Sequence, residues 1–147
     1  MGLGWLSRGR GRQYIHHNVR AVTVIGGGSP PEARAWKPLA RDVADTILRK
    51  GWTMVYCGMG GGVSGLIARR VLKGGGKVKA VTVKGKAPPD IPPGATRVQV
   101  PDFHERRRKL FDLGDGALVV PGGLGTLAEL TTLVAWRAAG LYRHQVV

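Results

Sequence analysis

A doubly wound parallel α/β sheet of Rossmann-like type, with helices on both faces, is predicted by three observations. Short, continuously apolar runs alternate with helical stretches along the chain. Strands without polar alternation are buried on both faces, as in a parallel sheet covered by helices. Glycine-rich turns follow three of these strands, at residues 26–29, 58–65 and 122–125, at the carboxyl ends where such sheets bind ligands.

The first strand, Ala21-Val22-Thr23-Val24-Ile25, runs straight into Gly26-Gly27-Gly28-Ser29-Pro30. A helix is expected over residues 32–50 from the stripe Leu39, Val43, Ile47 and Leu48, stopped by Gly51. Residues 53–57 read as a second buried strand. The turn at 58–65 opens a helix over 66–72, closed by Gly74-Gly75-Gly76, and residues 77–83 form a third strand. Residues 84–96 hold four prolines and two glycines and are expected to be an exposed loop. A short strand at 97–100 precedes a basic helix over 103–113, with Phe103, Leu110, Phe111 and Leu113 on its inner face. A fifth strand at 117–120, a turn at 121–125, an apolar helix at 126–139 and the start of a sixth strand at 144–147 complete the pattern. Residues 1–19, rich in Gly and Arg at first and without hydrophobic period, are expected to be a flexible basic arm, and 20–147 a single nucleotide-binding domain.

Composition narrows the function classes. A chain of 147 residues fits one domain. The lone Cys57 excludes an internally disulfide-stapled scaffold. No apolar run approaches the ~20 residues of a membrane span. The beginning of the chain carries Arg8, Arg10, Arg12 and Arg20 around no long apolar core, so it is no secretory signal, and a cytoplasmic location is expected. Lys and Arg number 23 against 9 acids, a net charge of +14 that attracts polyanions. These cations are dispersed and do not alternate with aromatics, so a nucleic-acid partner is not favoured. Asn18 is the sole asparagine, which with many ionic groups points weakly to a thermophile. Four scattered His and one Cys offer no metal-ligand spacing, and no metal or cofactor is expected.

Glycine turns let bare backbone N–H groups approach an anion, aided by the partial positive charge of a helix start. The turn at 58–65 fits the dinucleotide fingerprint only loosely. The acidic residue required about 20 positions later is missing, since the third strand ends in Val83-Lys84, and there is no Gly-Lys-Ser/Thr phosphate loop. A redox dinucleotide or nucleoside triphosphate is therefore disfavoured; a phosphate is not. Candidate binding residues are Gly28 and Ser29 on the first turn, Gly58, Gly60 and Gly62 on the second, and Gly122, Gly123, Gly125 and Thr126 on the third. Thr126 and Glu129 also have the spacing of a helix capping box, which alone would explain both. It would not explain the three glycines before them.

The stretch Pro121-Gly122-Gly123-Leu124-Gly125-Thr126-Leu127-Ala128-Glu129 resembles the signature of the LOG ("Lonely guy") family of nucleotide phosphoribohydrolases, many of whose members carry the label lysine decarboxylase. His104-Glu105-Arg106-Arg107 resembles the family's second motif at the matching interval, with Arg107 where lysine is usual, and residues 56–65 resemble its glycine-rich second turn. The likeness covers residues 22–147. It implies hydrolysis of the N-glycosidic bond of a nucleoside 5′-monophosphate, purine and N6-modified included, to free base and ribose 5-phosphate. It makes Arg106 and Glu129 the catalytic pair, has Arg107 and the third turn hold the phosphate, and implies a homodimer. Three departures stand out: Asp90 is the only acid in the loop where cytokinin-type members carry a substrate-binding glutamate, Gly114 replaces a common serine, and relatives continue past Val147. These features leave a second reading, a non-catalytic nucleotide or molybdenum-cofactor carrier of the same fold. Lysine decarboxylation is rejected, because no lysine occupies a recognisable cofactor-aldimine context.

Overall fold

A computed structural model describes residues 19–27, 33–86 and 90–147. The expected arm up to residue 18, and Gly28 and Ser29, lie outside the described residues. Six strands form one parallel sheet among the described residues: β1 (Ala21–Ile25), β2 (Thr53–Tyr56), β3 (Lys77–Val83), β4 (Thr96–Val100), β5 (Gly116–Val119) and β6 (Gln145–Val146). Their order is β4-β3-β2-β1-β5-β6, so the chain reverses direction of travel between β1 and β5. Among the described residues four helices cover it: α1 (Lys37–Lys50), α2 (Val63–Lys73), α3 (Phe103–Leu113) and α4 (Leu124–Ala138). None of the described helices is long and apolar enough to cross a membrane.

Period-two alternation along the strands builds two cores. Val22, Val24, Met54, Tyr56, Val78 and Ala80 pack with Ala40, Ala44 and Ile47 of α1 and with Ile67, Ala68 and Val71 of α2. Ile25, Val55, Val81 and Val83 pack on the other face with Leu110 and Phe111 of α3 and Leu133 of α4. The predicted doubly wound architecture is therefore the one observed, with α3 and α4 sharing one face.

Several boundaries differ from expectation. α1 begins at Lys37, not residue 32, with Pro38 in its first turn, where the missing N–H costs nothing. Its buried stripe is Ala40, Ala44 and Ile47 rather than Leu39, because α1 and α2 lie against each other and small side chains let them approach. Gly51 takes the left-handed conformation (φ 65°) that ends α1, its N–H bonding the Leu48 carbonyl at 3.0 Å. α2 starts three residues early, at Val63, and α4 two residues early, at Leu124. β2 ends at Tyr56, β4 gains Thr96, and β5 begins at Gly116.

α3 matches its expected range, yet one inner-face assignment is wrong. Leu110 and Phe111 are buried, whereas Phe103 stands 53% exposed. It is the first residue of the helix, whose buried residues begin only at Leu110, two turns later. Asp102 caps this end: its Oδ1 accepts from the N–H groups of His104 and Glu105, each at 2.8 Å. Asp102→Ala is expected to cost about 1 kcal/mol in urea unfolding, and Asp102→Ser to recover most of it. Equal losses in both variants would remove the cap from the account.

Candidate active site

The reversal between β1 and β5 opens a crevice at their carboxyl ends. The two turns that leave these strands are in backbone contact. The Gly27 N–H donates to the Pro121 carbonyl at 3.0 Å. A Cβ on Gly122 would stand 2.4 Å from the Gly27 nitrogen, and one on Gly27 would stand 2.7 Å from the Gly122 Cα. Backbone cannot yield at such distances, so these two glycines are dictated by the fold.

Gly123 and Gly125 are different. A Cβ on either would meet nothing within 4 Å, and neither has a positive φ. Packing and backbone would accept a side chain at both positions. Glycine there leaves the first amides of α4 bare toward open space, and those N–H groups have no partner within the helix.

The capping box is not formed. Gly123 is the N-cap of α4 and makes no side-chain cap; Thr126 is already the third helical residue. Three flexible glycines let the helix begin earlier than the Thr126–Glu129 spacing indicates. Thr126 is buried with its Oγ1 against Gly122, and Glu129, one turn further on the same helical face, is only 8% exposed. Neither residue is spent on the helix end.

Glu129 meets the first turns of α3. Its Oε1 lies 3.8 Å from an Arg106 terminal nitrogen, both side chains being largely buried. Burial pushes the Glu129 carboxyl above its ordinary range, and the positive charges of Arg106 and Arg107 pull against that shift without cancelling it. The Nε atoms of Arg106 and Arg107 are buried with no hydrogen-bond partner among the described residues. Two guanidiniums with unspent donors beside one carboxylate leave room for a further anion.

The second turn is occupied by its own chain. Gly58 has φ 76°, and its Cβ would stand 2.9 Å from Thr82 Cγ2; a Cβ on Gly60 would strike the Asp90 carbonyl at 1.9 Å. Arg69 of α2 ties the Gly60 carbonyl to the Asp90 carboxylate. Gly58 and Gly60 are thus accounted for by packing, Gly62 is the N-cap of α2, and Asp90 is engaged by Arg69. A cavity of about 1350 Å³ lies elsewhere, lined by Trp52, Asp115 and Tyr142 among others and by none of the site residues above.

Two neighbours of the pair did not figure as site residues in the sequence. Cys57, at the end of β2, feels the charges of both Glu129 and Arg106, and burial pushes its thiol up, away from thiolate. Phe103 lies with its ring centroid 4.9 Å from Arg106 Cζ. Their three-residue spacing at the start of a helix was the available signal.

Residues 64–147, more than half the chain, match the family described as possible lysine decarboxylase. The chain belongs to that family. Among its curated relatives, the cytokinin riboside 5′-monophosphate phosphoribohydrolase of Rhodococcoides fascians is 30% identical over 131 residues, covering 87% of this chain and 66% of that protein. The rice (Oryza sativa subsp. japonica) cytokinin riboside 5′-monophosphate phosphoribohydrolase LOG is 28% identical over 130 residues, covering 86% of this chain and 53% of that one. The chain thus spans between about half and two thirds of the length of these relatives. In fold it is similar to the Moco carrier protein from Chlamydomonas reinhardtii, with TM-score 0.67 at 18% identity over 86% of this chain and 75% of that one.

For this family member, the geometry separates two kinds of glycine. Gly122→Ala is expected to cost about 1–3 kcal/mol in denaturant unfolding, and Gly123→Ala no more than about 0.5 kcal/mol. Similar costs at the two positions would contradict the assignment. The Glu129 shift also carries a sign. A carboxyl raised by folding holds its proton more tightly in the native state, so its contribution is best at low pH and worsens as pH climbs from the unfolded pKa through the raised native one. Glu129→Gln is therefore expected to be more stable than wild type at pH 7, with the difference closing below the carboxylate range. A difference independent of pH would overturn this.

Proposed function

We propose that the chain hydrolyses the N-glycosidic bond of a nucleoside 5′-monophosphate, purine and N6-modified included, releasing free base and ribose 5-phosphate. The carrying observation is Glu129: a buried carboxylate with no capping role, 3.8 Å from Arg106, beside a helix start with bare amides. The names of the curated relatives support the same reaction.

In this reading the 5′-phosphate sits on the amides of Gly123, Gly125 and Thr126, assisted by the Thr126 hydroxyl and the Arg107 guanidinium. Cleavage builds positive charge on the ribose at C1′, as in glycoside hydrolysis. Glu129 stabilises that charge and takes a proton from the water attacking C1′. The C1′–N bond breaks, and the base leaves with the bonding pair and gains a proton. Arg106 holds the Glu129 carboxylate ionised and oriented, opposing the effect of its burial. Gly62, at the start of α2, would border the substrate, whereas Gly58 and Gly60 are filled by the chain's own packing. We place the reaction in the cytoplasm and in a homodimer, for which the exposed Leu124, Leu127 and Val134 along α4 offer an apolar face. The family's descriptive label is not followed: no lysine stands among the described side chains gathered at the site.

The test is incubation with AMP and with N6-substituted AMP, measuring free base and ribose 5-phosphate. Turnover is expected, with Glu129→Ala and Arg106→Ala each lowering kcat by about 10²–10⁴-fold. Unchanged turnover in both variants removes the assigned roles, and tight nucleotide binding without turnover establishes a carrier instead.

A further inference from the structure

We propose that Phe103 is a positioning residue for Arg106: its ring holds the guanidinium plane so that one edge stays at Glu129 and the other donors stay free for substrate. The proposal rests on the phosphoribohydrolase reading for its catalytic consequence, and on the geometry alone for the contact itself.

Phe103 is an unusual residue where it stands. It is 53% exposed, belongs to neither core cluster, and opens a helix for which an aromatic has no special propensity. Burial does not explain it, and a polar residue would serve the helix start equally well. What it touches is Arg106. The two lie three residues apart, so they share one face of α3, and a helical side chain reaches back toward the N-terminus over the preceding turn. Arg106 Cζ sits 4.9 Å from the ring centroid, well inside the range at which a cation is attracted to an aromatic face.

The guanidinium needs such support. Among the described residues its side chain makes no hydrogen bond; Nε is buried without a partner. Its contact with Glu129, at 3.8 Å, is a single long approach rather than a two-pronged bidentate pair. One contact of that length fixes neither the plane nor the rotation of a flexible side chain. The ring supplies the second point of restraint. It restrains without consuming a donor, since a π-face attracts the cation while leaving its N–H groups in the guanidinium plane available. An acidic or amide side chain at position 103 would instead occupy a donor intended for substrate. The backbone beneath is already fixed, because the Asp102 cap holds the first turn and the Arg106 N–H donates to the Asp102 carbonyl at 3.0 Å. The remaining freedom is in the Arg106 side chain, and that is what the ring removes.

The test compares wild type, Phe103→Leu and Phe103→Trp by two readouts. The first is steady-state AMP hydrolysis. Phe103→Leu is expected to lower kcat about three- to tenfold with KM changed less than about twofold, and Phe103→Trp, which keeps a π-face, to restore kcat. Wild-type kcat in Phe103→Leu, or equal damage in both variants, overturns the proposal. The second readout is the Arg106 Nε–H resonance of ¹⁵N-labelled protein, assigned by its disappearance in Arg106→Lys. A ring-shifted, slowly exchanging signal is expected in wild type and Phe103→Trp, and loss of both properties in Phe103→Leu. Because it needs no turnover, it separates the two failures. A wild type inactive on nucleotides with this pattern intact defeats the reaction and keeps the positioning role. An Arg106 signal indifferent to Phe103 defeats the positioning role whatever the activity.

Discussion

The rim of this sheet depends on one contact, the apposition of the turns after β1 and β5. Gly27 and Gly122 approach so closely that no side chain fits at either, and the Gly27–Pro121 hydrogen bond locks the pair. That lock decides where α4 starts and which way its free amides point. A second tie sets the neighbouring helix: the Thr23 hydroxyl, on β1, donates to the Leu110 carbonyl of α3 at 2.6 Å. Gly114 completes it, since a Cβ there would lie 2.3 Å from Thr23 Oγ1. The glycine at position 114 is thus matched to the threonine beneath it. Both helices are referred to the same central strand, so Arg106 and Glu129 meet although no element contains both.

This arrangement opposes stability at its centre. A carboxylate buried beside a cation at 3.8 Å recovers only part of the hydration it gives up, and the upward shift of Glu129 expresses the shortfall. A leucine at that position would suit the apolar helix better. An acid where packing favours hydrocarbon supports the role proposed for Glu129, since perturbed carboxyls gather at working sites.

The sequence was most legible where one physical signal dominated. β3 and α3 have their expected ranges because each is bounded by strong punctuation: Gly76 and Lys84 around one, Pro101-Asp102 and Gly114 around the other. Helix starts were less legible. Glycine runs before α2 and α4 permit early helix entry that no propensity rule marks, and this is why the Thr126–Glu129 spacing suggested a cap that is not formed. The proposed catalytic pair came from motif resemblance, since its members stand 23 positions apart and only the sheet's topology joins them. Phe103 was misread because hydrophobic periodicity registers an apolar residue on the inward face without knowing that the helix's buried residues begin only at Leu110, two turns on.

Two glycine-led helix starts on one rim show what such a motif does and does not establish. Before α2, Gly60 is covered by the Asp90 backbone, and the Asp90 carboxylate stands nearby in the grip of Arg69. An anion would find that turn filled, with a negative charge already present. Before α4, Gly123 and Gly125 face open space, and the nearest charged side chains of α3 are two arginines against the single acid of Glu129. The local balance is positive, in keeping with the +14 of the whole chain, whose field draws anions toward the surface in general. General attraction becomes a site only where backbone amides are exposed and uncompensated cations converge. Of the two described turns, the α4 start meets both conditions and the α2 start meets neither.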